Sequence, residues 1–219
     1  MSTGNRQHDR SGWRILIAGT GGQGVLTAAR LLCDCFVARG HCVVSGQLHG
    51  MAQRGGAVQS SVIIDGGISP VIPTGQADFL VGFEPVETAR ALPFMSSGTV
   101  VYMNTAPVVP FILAQRLVLK QPGAEYPDVA ALTARIQAAA PRTFTFDATR
   151  CAIEAGSVKA LNMLMLGCLL GSNTLPCTAG QFWDNVSETM PAKLREVNTR
   201  AFRKGTELAA AMHAGGGGP

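Results

Sequence analysis

The sequence predicts an open α/β domain: a mainly parallel sheet with helices on both faces, making a three-layer sandwich, and extra helices at the C-terminus. Three observations carry that expectation. Short apolar runs rich in β-formers alternate with stretches of helical periodicity along most of the chain. The first run breaks at a glycine cluster and passes straight into a helical pattern, in "ILIAGTGGQGVLTAARLL" (15–32). Three helical patterns then follow one another at the C-terminal end with no strand between them. Strands separated by helices return through right-handed crossovers, and the parallel sheet they build must be covered on both sides.

Taken in order, the candidate strands are "WRILIAG" (13–19), "HCVVS" (41–45), "VQSSVII" (58–64), "ADFLVGF" (77–83), "GTVVYMN" (98–104) and "TFTFDA" (143–148). Each is an apolar run with strand-forming residues. Helical spacing covers 22–39, 85–92, 127–139, 149–155, 157–170, 179–189 and 191–212. Residues 1–12 are polar and read as a disordered tail, 13–212 as one domain, and the glycine-rich 213–219 as a second disordered tail.

A chain of 219 residues can bury one substantial core. With 47% hydrophobic and 15% charged residues it lies on the apolar side of ordinary soluble proteins, which fits a chain that hides part of its surface against a partner. The net charge of +4 comes from scattered basic residues, so no nucleic-acid footprint is expected. The longest nearly apolar stretch, "ALNMLMLGCLL" (160–170), falls short of the roughly 20 residues that span a bilayer, so no membrane segment is expected. The N-terminus lacks the apolar core of a secretion signal, and a cytoplasmic location follows as an expectation.

Six cysteines (Cys33, Cys35, Cys42, Cys151, Cys168, Cys177) occur without a C-x-x-C pair and read as reduced core residues. Iron–sulfur clusters and structural zinc need thiolates at short intervals, so any cluster chemistry belongs to another chain. His8, His41, His49 and His213 form no ligand pair, and no G-x-S-x-G elbow occurs. No catalytic residue and no metal ligand is assigned.

The glycine cluster, Gly19-Thr20-Gly21-Gly22-Gln23-Gly24, satisfies G-x-G-x-x-G between a strand and a helix, the context in which a backbone approaches a phosphate. Gly19, Gly21, Gly22, Gln23 and Gly24 are therefore the candidate cofactor-facing residues of a Rossmann-like loop. A dinucleotide site also needs an acid about 20 residues on, closing the second strand. That strand ends in Val44-Ser45-Gly46-Gln47, so an independent dehydrogenase is disfavoured, and a P-loop fails because no Lys-Ser/Thr follows.

A second loop, "GQLHGMAQRGGAVQSS" (46–61), should gather beside the first at the ligand-binding edge of the sheet. It supplies His49, Gln53, Arg54, Gly55 and Gly56 as substrate or interface candidates. An arginine between glycines can reach a carboxylate or phosphate bidentately; the plainer reading is a long connection whose glycines only permit turns.

The ordered combination "GTGGQGVLTAARLL", "HGMAQRGGAV", "ADFLVGFEPVETAR", "LNMLMLGCLL" and "REVNTRAFRKG" resembles the gamma-type subunit or domain of 2-oxoacid:ferredoxin oxidoreductases, the indolepyruvate enzymes above all. The likeness covers Arg14 to Gly205. It implies a non-redox subunit, inactive alone, in an enzyme that decarboxylates a 2-oxoacid oxidatively and releases an acyl-CoA. It further implies a larger partner subunit carrying thiamine diphosphate, magnesium and [4Fe–4S] clusters, which passes electrons to ferredoxin. The glycine-rich edge would line the active site or the path of CoA, the co-substrate. An isolated chain could form a homodimer. Where relatives often carry an arginine on the third strand, this sequence has Ile63. A free-standing nucleotide- or CoA-ester-binding protein of the same fold is the alternative reading.

Elsewhere the sequence reads as structural. Glu84 and Glu87 suit a helix N-terminus, worth about 0.3–1 kcal/mol each. Asn162 in an apolar helix needs a partner, since an unpaired buried amide costs roughly 1–3 kcal/mol. Gly167 would permit close packing, and Asn198 and Gly205 are further structural candidates.

Overall fold

The computed structural model describes residues 12–49, 56–109, 111–119 and 125–215. Strand β1 (Trp13–Thr20) leads through α1 (Val25–Val37) to β2 (Val43–His49), and β3 (Ala57–Ile64) follows. Then come β4 (Phe79–Gly82), α2 (Pro85–Arg90), β5 (Val100–Asn104), α3 (Phe111–Val118), α4 (Val129–Ala139) and β6 (Thr143–Phe146). The chain closes with α5 (Ala148–Glu154), α6 (Leu161–Gly171), α7 (Ala179–Thr189) and α8 (Ala192–Gly215). The six strands form one sheet in the order β2-β3-β1-β4-β5-β6.

Strands β1, β4, β5 and β6 pair in parallel, whereas β3 runs antiparallel to both β1 and β2. A mainly parallel sheet was the expectation, and the single reversal follows from chain length. Only a short connection separates β2 from β3, too few residues for a crossover helix, so the chain must return as an antiparallel neighbour.

Helices cover both faces. On one, Ile15, Ile17, Val81 and Tyr102 meet α1, α5, α6, α7 and α8 in the larger core. On the other, Leu16, Ala18, Leu80 and Met103 meet Ile72, Ala91, Met95 and Ile136 in a smaller one. Successive strand residues face opposite sides, so β1 supplies both cores from alternate positions. Helix α6 has almost no exposed residue, which explains why its sequence is apolar all round.

Four expectations are corrected. The second strand extends to His49 rather than ending at Ser45, so the connection is much shorter than 46–61. Gly46 looks like a breaker but sits inside the strand because Pro70 crosses it: a Cβ there would lie 2.8 Å from the Pro70 Cβ. Helix α3 has no counterpart in the predicted elements. Helix α8 continues to Gly215, past the boundary at 212, because His213 packs on the sheet. The tails at 1–11 and 216–219 lie outside the described residues.

Tyr102, fully buried, is within 2.7 Å of the His213 Nε2, and the His213 ring meets Phe144 edge-on at 4.9 Å. Burial, with Arg142 nearby, holds the imidazole below its ordinary value of 6.5. The unfolded chain therefore binds this proton more readily than the folded one. The His213 contribution is complete above about pH 6.5 and is lost as pH falls through the lowered folded value. Thermal unfolding between about pH 7 and pH 5 should show a shallower pH dependence for His213→Phe than for wild type; parallel curves would remove His213 as the source.

Candidate functional site

The first glycine loop is built by close approach rather than by loose chain. A Cβ at Gly19 would fall 2.8 Å from the Phe83 Cβ and 2.9 Å from Val25 Cγ2, so only glycine lets β1 meet β4 and α1 there. Gly22 and Gly24 have φ of +100° and +84°, the left-handed region that costs other residues steric strain. Gly24 is the N-cap of α1; it offers no side chain to cap the helix, and the first turn carries no acid. The free N–H groups of that turn thus face the edge of the sheet.

The second loop meets the first. Gly21 N–H donates to the Gly56 carbonyl at 2.9 Å, which joins the end of β1 to the start of β3. His49 ends β2, its backbone in register with Val58. The structure therefore brings together Gly19, Gly21, Gly22, Gln23, Gly24 and Gly56, with the His49 backbone near them. Gln53, Arg54 and Gly55 lie outside the described residues.

Gln23 acts inward. Its Oε1 accepts from Thr20 N–H (2.8 Å) and the Thr20 hydroxyl (3.0 Å), and its Nε2 donates to the Phe83 carbonyl (2.9 Å). Both ends of the amide are engaged within the protein, so Gln23 holds the loop in shape. Asn104, at the end of β5, reaches the same carbonyl. Its Nδ2 donates to Phe83 O (3.0 Å) and to the Thr149 hydroxyl (2.9 Å), and its Oδ1 accepts from the N–H groups of Ala106, Ala148 and Thr149. One fully buried amide thereby ties β4, β5 and the start of α5 into one edge. The sequence reading missed it, although a polar residue closing the buried run "VVYMN" was a signal.

A cavity of about 310 Å³ opens above this edge, lined by Gly22, Gly24, Thr27, Thr149, Lys159 and Asn162. Asn162 is half-buried there instead of fully buried in α6. Its Oδ1 accepts from Met163 N–H (2.9 Å), and its Nδ2 lies 3.1 Å from where a Gly24 Cβ would stand. A larger cavity, about 650 Å³, lies beside Trp13, Asp78 and Gly98 and shares no residue with the glycine loop. The smaller cavity is the one that the first glycine loop borders.

The two glutamates prove structural. Glu84 caps α2, accepting from Glu87 N–H (3.0 Å), and also takes the Tyr126 hydroxyl. Burial pushes the Glu87 carboxyl above its usual range, partly offset by Arg90 at 3.4 Å. Ile63, where an arginine was in question, is 2% exposed in the smaller core and makes no anion contact. Among the described residues no cluster of His, Cys, Asp and Glu converges as a metal site, and no helix is long and apolar enough to cross a membrane.

The chain is similar to known proteins in sequence and in fold. The family model of pyruvate ferredoxin/flavodoxin oxidoreductase matches residues 14–208. The chain is similar to indolepyruvate oxidoreductase subunit IorB of Methanothermobacter thermautotrophicus, 33% identical over 90% of this chain and 98% of the relative. The same subunit of Pyrococcus horikoshii is 34% identical over 91% and 97%. Among solved structures, the gamma subunit of a keto/oxoacid ferredoxin oxidoreductase from Geobacter sulfurreducens aligns with a TM-score of 0.62 at 25% identity, over 91% of this chain and 99% of that one. The 2-oxoglutarate:ferredoxin oxidoreductase of Magnetococcus marinus shares the fold at a TM-score of 0.69 and 18% identity, over 93% of this chain and 32% of that longer one.

Proposed function

Because this chain belongs to the pyruvate ferredoxin/flavodoxin oxidoreductase family, we propose that it is the small, non-redox subunit of a 2-oxoacid:ferredoxin oxidoreductase with an aryl pyruvate such as indolepyruvate as substrate. In this reading the larger partner subunit carries thiamine diphosphate, magnesium and [4Fe–4S] clusters, ferredoxin takes the electrons there, and CoA is the co-substrate. The family match over nearly the whole chain supports the enzyme class. The observation that carries the site is the bond from Gly21 N–H to Gly56 O, which draws both glycine loops to one edge.

Within that edge, the Gly21 and Gln23 N–H groups bond the Gly56 and Thr20 carbonyls, Gly22 and Gly24 offer their backbone N–H groups, and the Gln23 side chain keeps the turn in place. In this reading the second loop supplies His49, Gln53, Arg54, Gly55 and Gly56 as substrate or interface residues, and Arg54 would hold an anionic group of substrate or CoA, or a partner carboxylate. The chain's part is to bind and orient; it carries no electron.

Reconstitution tests this. The chain with its larger subunit should oxidise the 2-oxoacid with ferredoxin as acceptor, and neither part alone should. A charge-assisted bond is worth roughly 1.5–3 kcal/mol, so Arg54→Ala should lower kcat/KM by about tenfold to a hundredfold. Arg54→Lys should recover only part, since a point charge cannot make two parallel bonds. Full activity of Arg54→Ala with unchanged subunit affinity would remove Arg54 from the site; lost affinity with normal turnover would assign it to the interface.

A further inference from the structure

Strand β2 is an edge of the sheet among the described residues. Asp65 N–H donates to the Cys42 carbonyl (2.8 Å), which sets the bonded pair at that end of the β2–β3 ladder. Bonded pairs alternate along an antiparallel ladder, so Val44, Gly46 and Leu48 turn their backbone toward β3. The N–H and C=O groups of Val43, Ser45 and Gln47 then point outward. Edge strands are ordinarily guarded by lysine, proline, a bulge or a short length. "VVSGQLH" has no such residue, and its register with β3 is unbroken.

Cavities flank this edge on both faces and meet at Gln47, which lines each of them. On one side lies an apolar hollow of about 180 Å³ against Leu48, Val71, Ile72 and Phe94. Leu48 is 69% exposed and Val71 70% exposed at its rim. On the other a groove of about 590 Å³ runs over Leu31, Met190 and Leu194, and the charged residues lining it are both cations, Arg30 and Lys159. An added strand places alternate side chains on opposite faces, so unpaired backbone with a pocket on each side is the arrangement that β-strand addition requires.

We propose that β2 receives an extended segment of the larger subunit, apolar at alternate positions and carrying a carboxylate toward Arg30 and Lys159. The occupant rests on the function proposed above. Charge complementarity argues against a second copy in this place, because "VVSGQLH" brings no acid to the same two cations.

The test titrates the larger subunit, separately purified and immobilised, with wild type, Leu48→Lys, Ser45→Pro and Arg30→Glu. Leu48 and Arg30 are exposed, so those variants should keep the wild-type thermal midpoint. Ser45→Pro removes an outward N–H, the position where an edge strand tolerates proline. About tenfold weaker binding is expected for each variant, with Arg30→Lys near wild type. Unchanged affinity for Leu48→Lys and Arg30→Glu alike would overturn strand docking while leaving the functional reading intact. If Leu48→Lys instead breaks up a self-associated form of the isolated chain and keeps full affinity for the larger subunit, the occupant is a second copy. No binding by wild type would overturn the functional reading and this occupant together.

Discussion

Asn104→Ala should destabilise the chain by about 3–5 kcal/mol, read as a lower urea midpoint at unchanged slope. The amide makes five hydrogen bonds while fully buried, and its Oδ1 serves the first N–H groups of α5. Truncation leaves a buried donor at Ala148 without an acceptor, costing about 1–3 kcal/mol, and a half-buried one at Thr149 that costs less. The Phe83 carbonyl keeps only the bond from Gln23, so the glycine loop loosens as well. Asn104→Asp is not a rescue, because a carboxylate oxygen would face that carbonyl where the Nδ2 now donates. A loss below about 1 kcal/mol would show that water replaces the amide and that the edge is held by packing alone.

Gly205→Leu should abolish folding, and Gly167→Ala or Gly205→Ala should each cost more than about 3 kcal/mol, at or beyond the upper end of ordinary overpacking. A Cβ at Gly167 would stand 2.2 Å from the Phe202 carbonyl oxygen, and one at Gly205 would stand 2.1 Å from that of Leu164. These neighbours are backbone, which no rotamer change can move aside, so α6 and α8 would have to separate. Helix α6 is the centre of the larger core, and its displacement exposes Leu164, Cys168 and Phe202 together. Gly180→Ala is the control: the nearest atom to its Cβ would be 4.0 Å away, and replacing an exposed helical glycine should be neutral or stabilising by about 0.5–1 kcal/mol. Equal melting temperatures for Gly167→Ala and wild type would mean that the two helices cross farther apart than described.

The meeting of the two glycine segments was legible in sequence because glycines mark both of them. The turn at Gly19–Gly24 and the proximity of Gly56 follow from strand–loop–helix grammar and from where loops gather on a parallel sheet. The direction in which Gln23 points was not legible. An amide flanked by glycines has no local preference between a ligand outside and the Phe83 carbonyl inside, and that carbonyl arrives from a strand 60 residues away. Asn162 was read as an amide within an apolar helix that needs a partner; it lies in the first turn of α6, where it packs against Gly24 of the loop at the rim of a cavity.

Periodicity and glycine placement were enough to assign the α/β class and most of the strands, and to mark Gly167 as a position of close packing and Gly205 as structural, since these depend on which side chains repeat and which are absent; that the two glycines meet was decided by the tertiary structure. Tertiary structure alone decided that β2 runs on through Gly46 to His49, that β3 reverses, and that Asn104 joins three elements. The reason is physical: a strand ends where its partner's backbone donors and acceptors end, and a buried amide is placed by the carbonyls that other strands bring to it. Both depend on groups far apart in the chain, which no local pattern records.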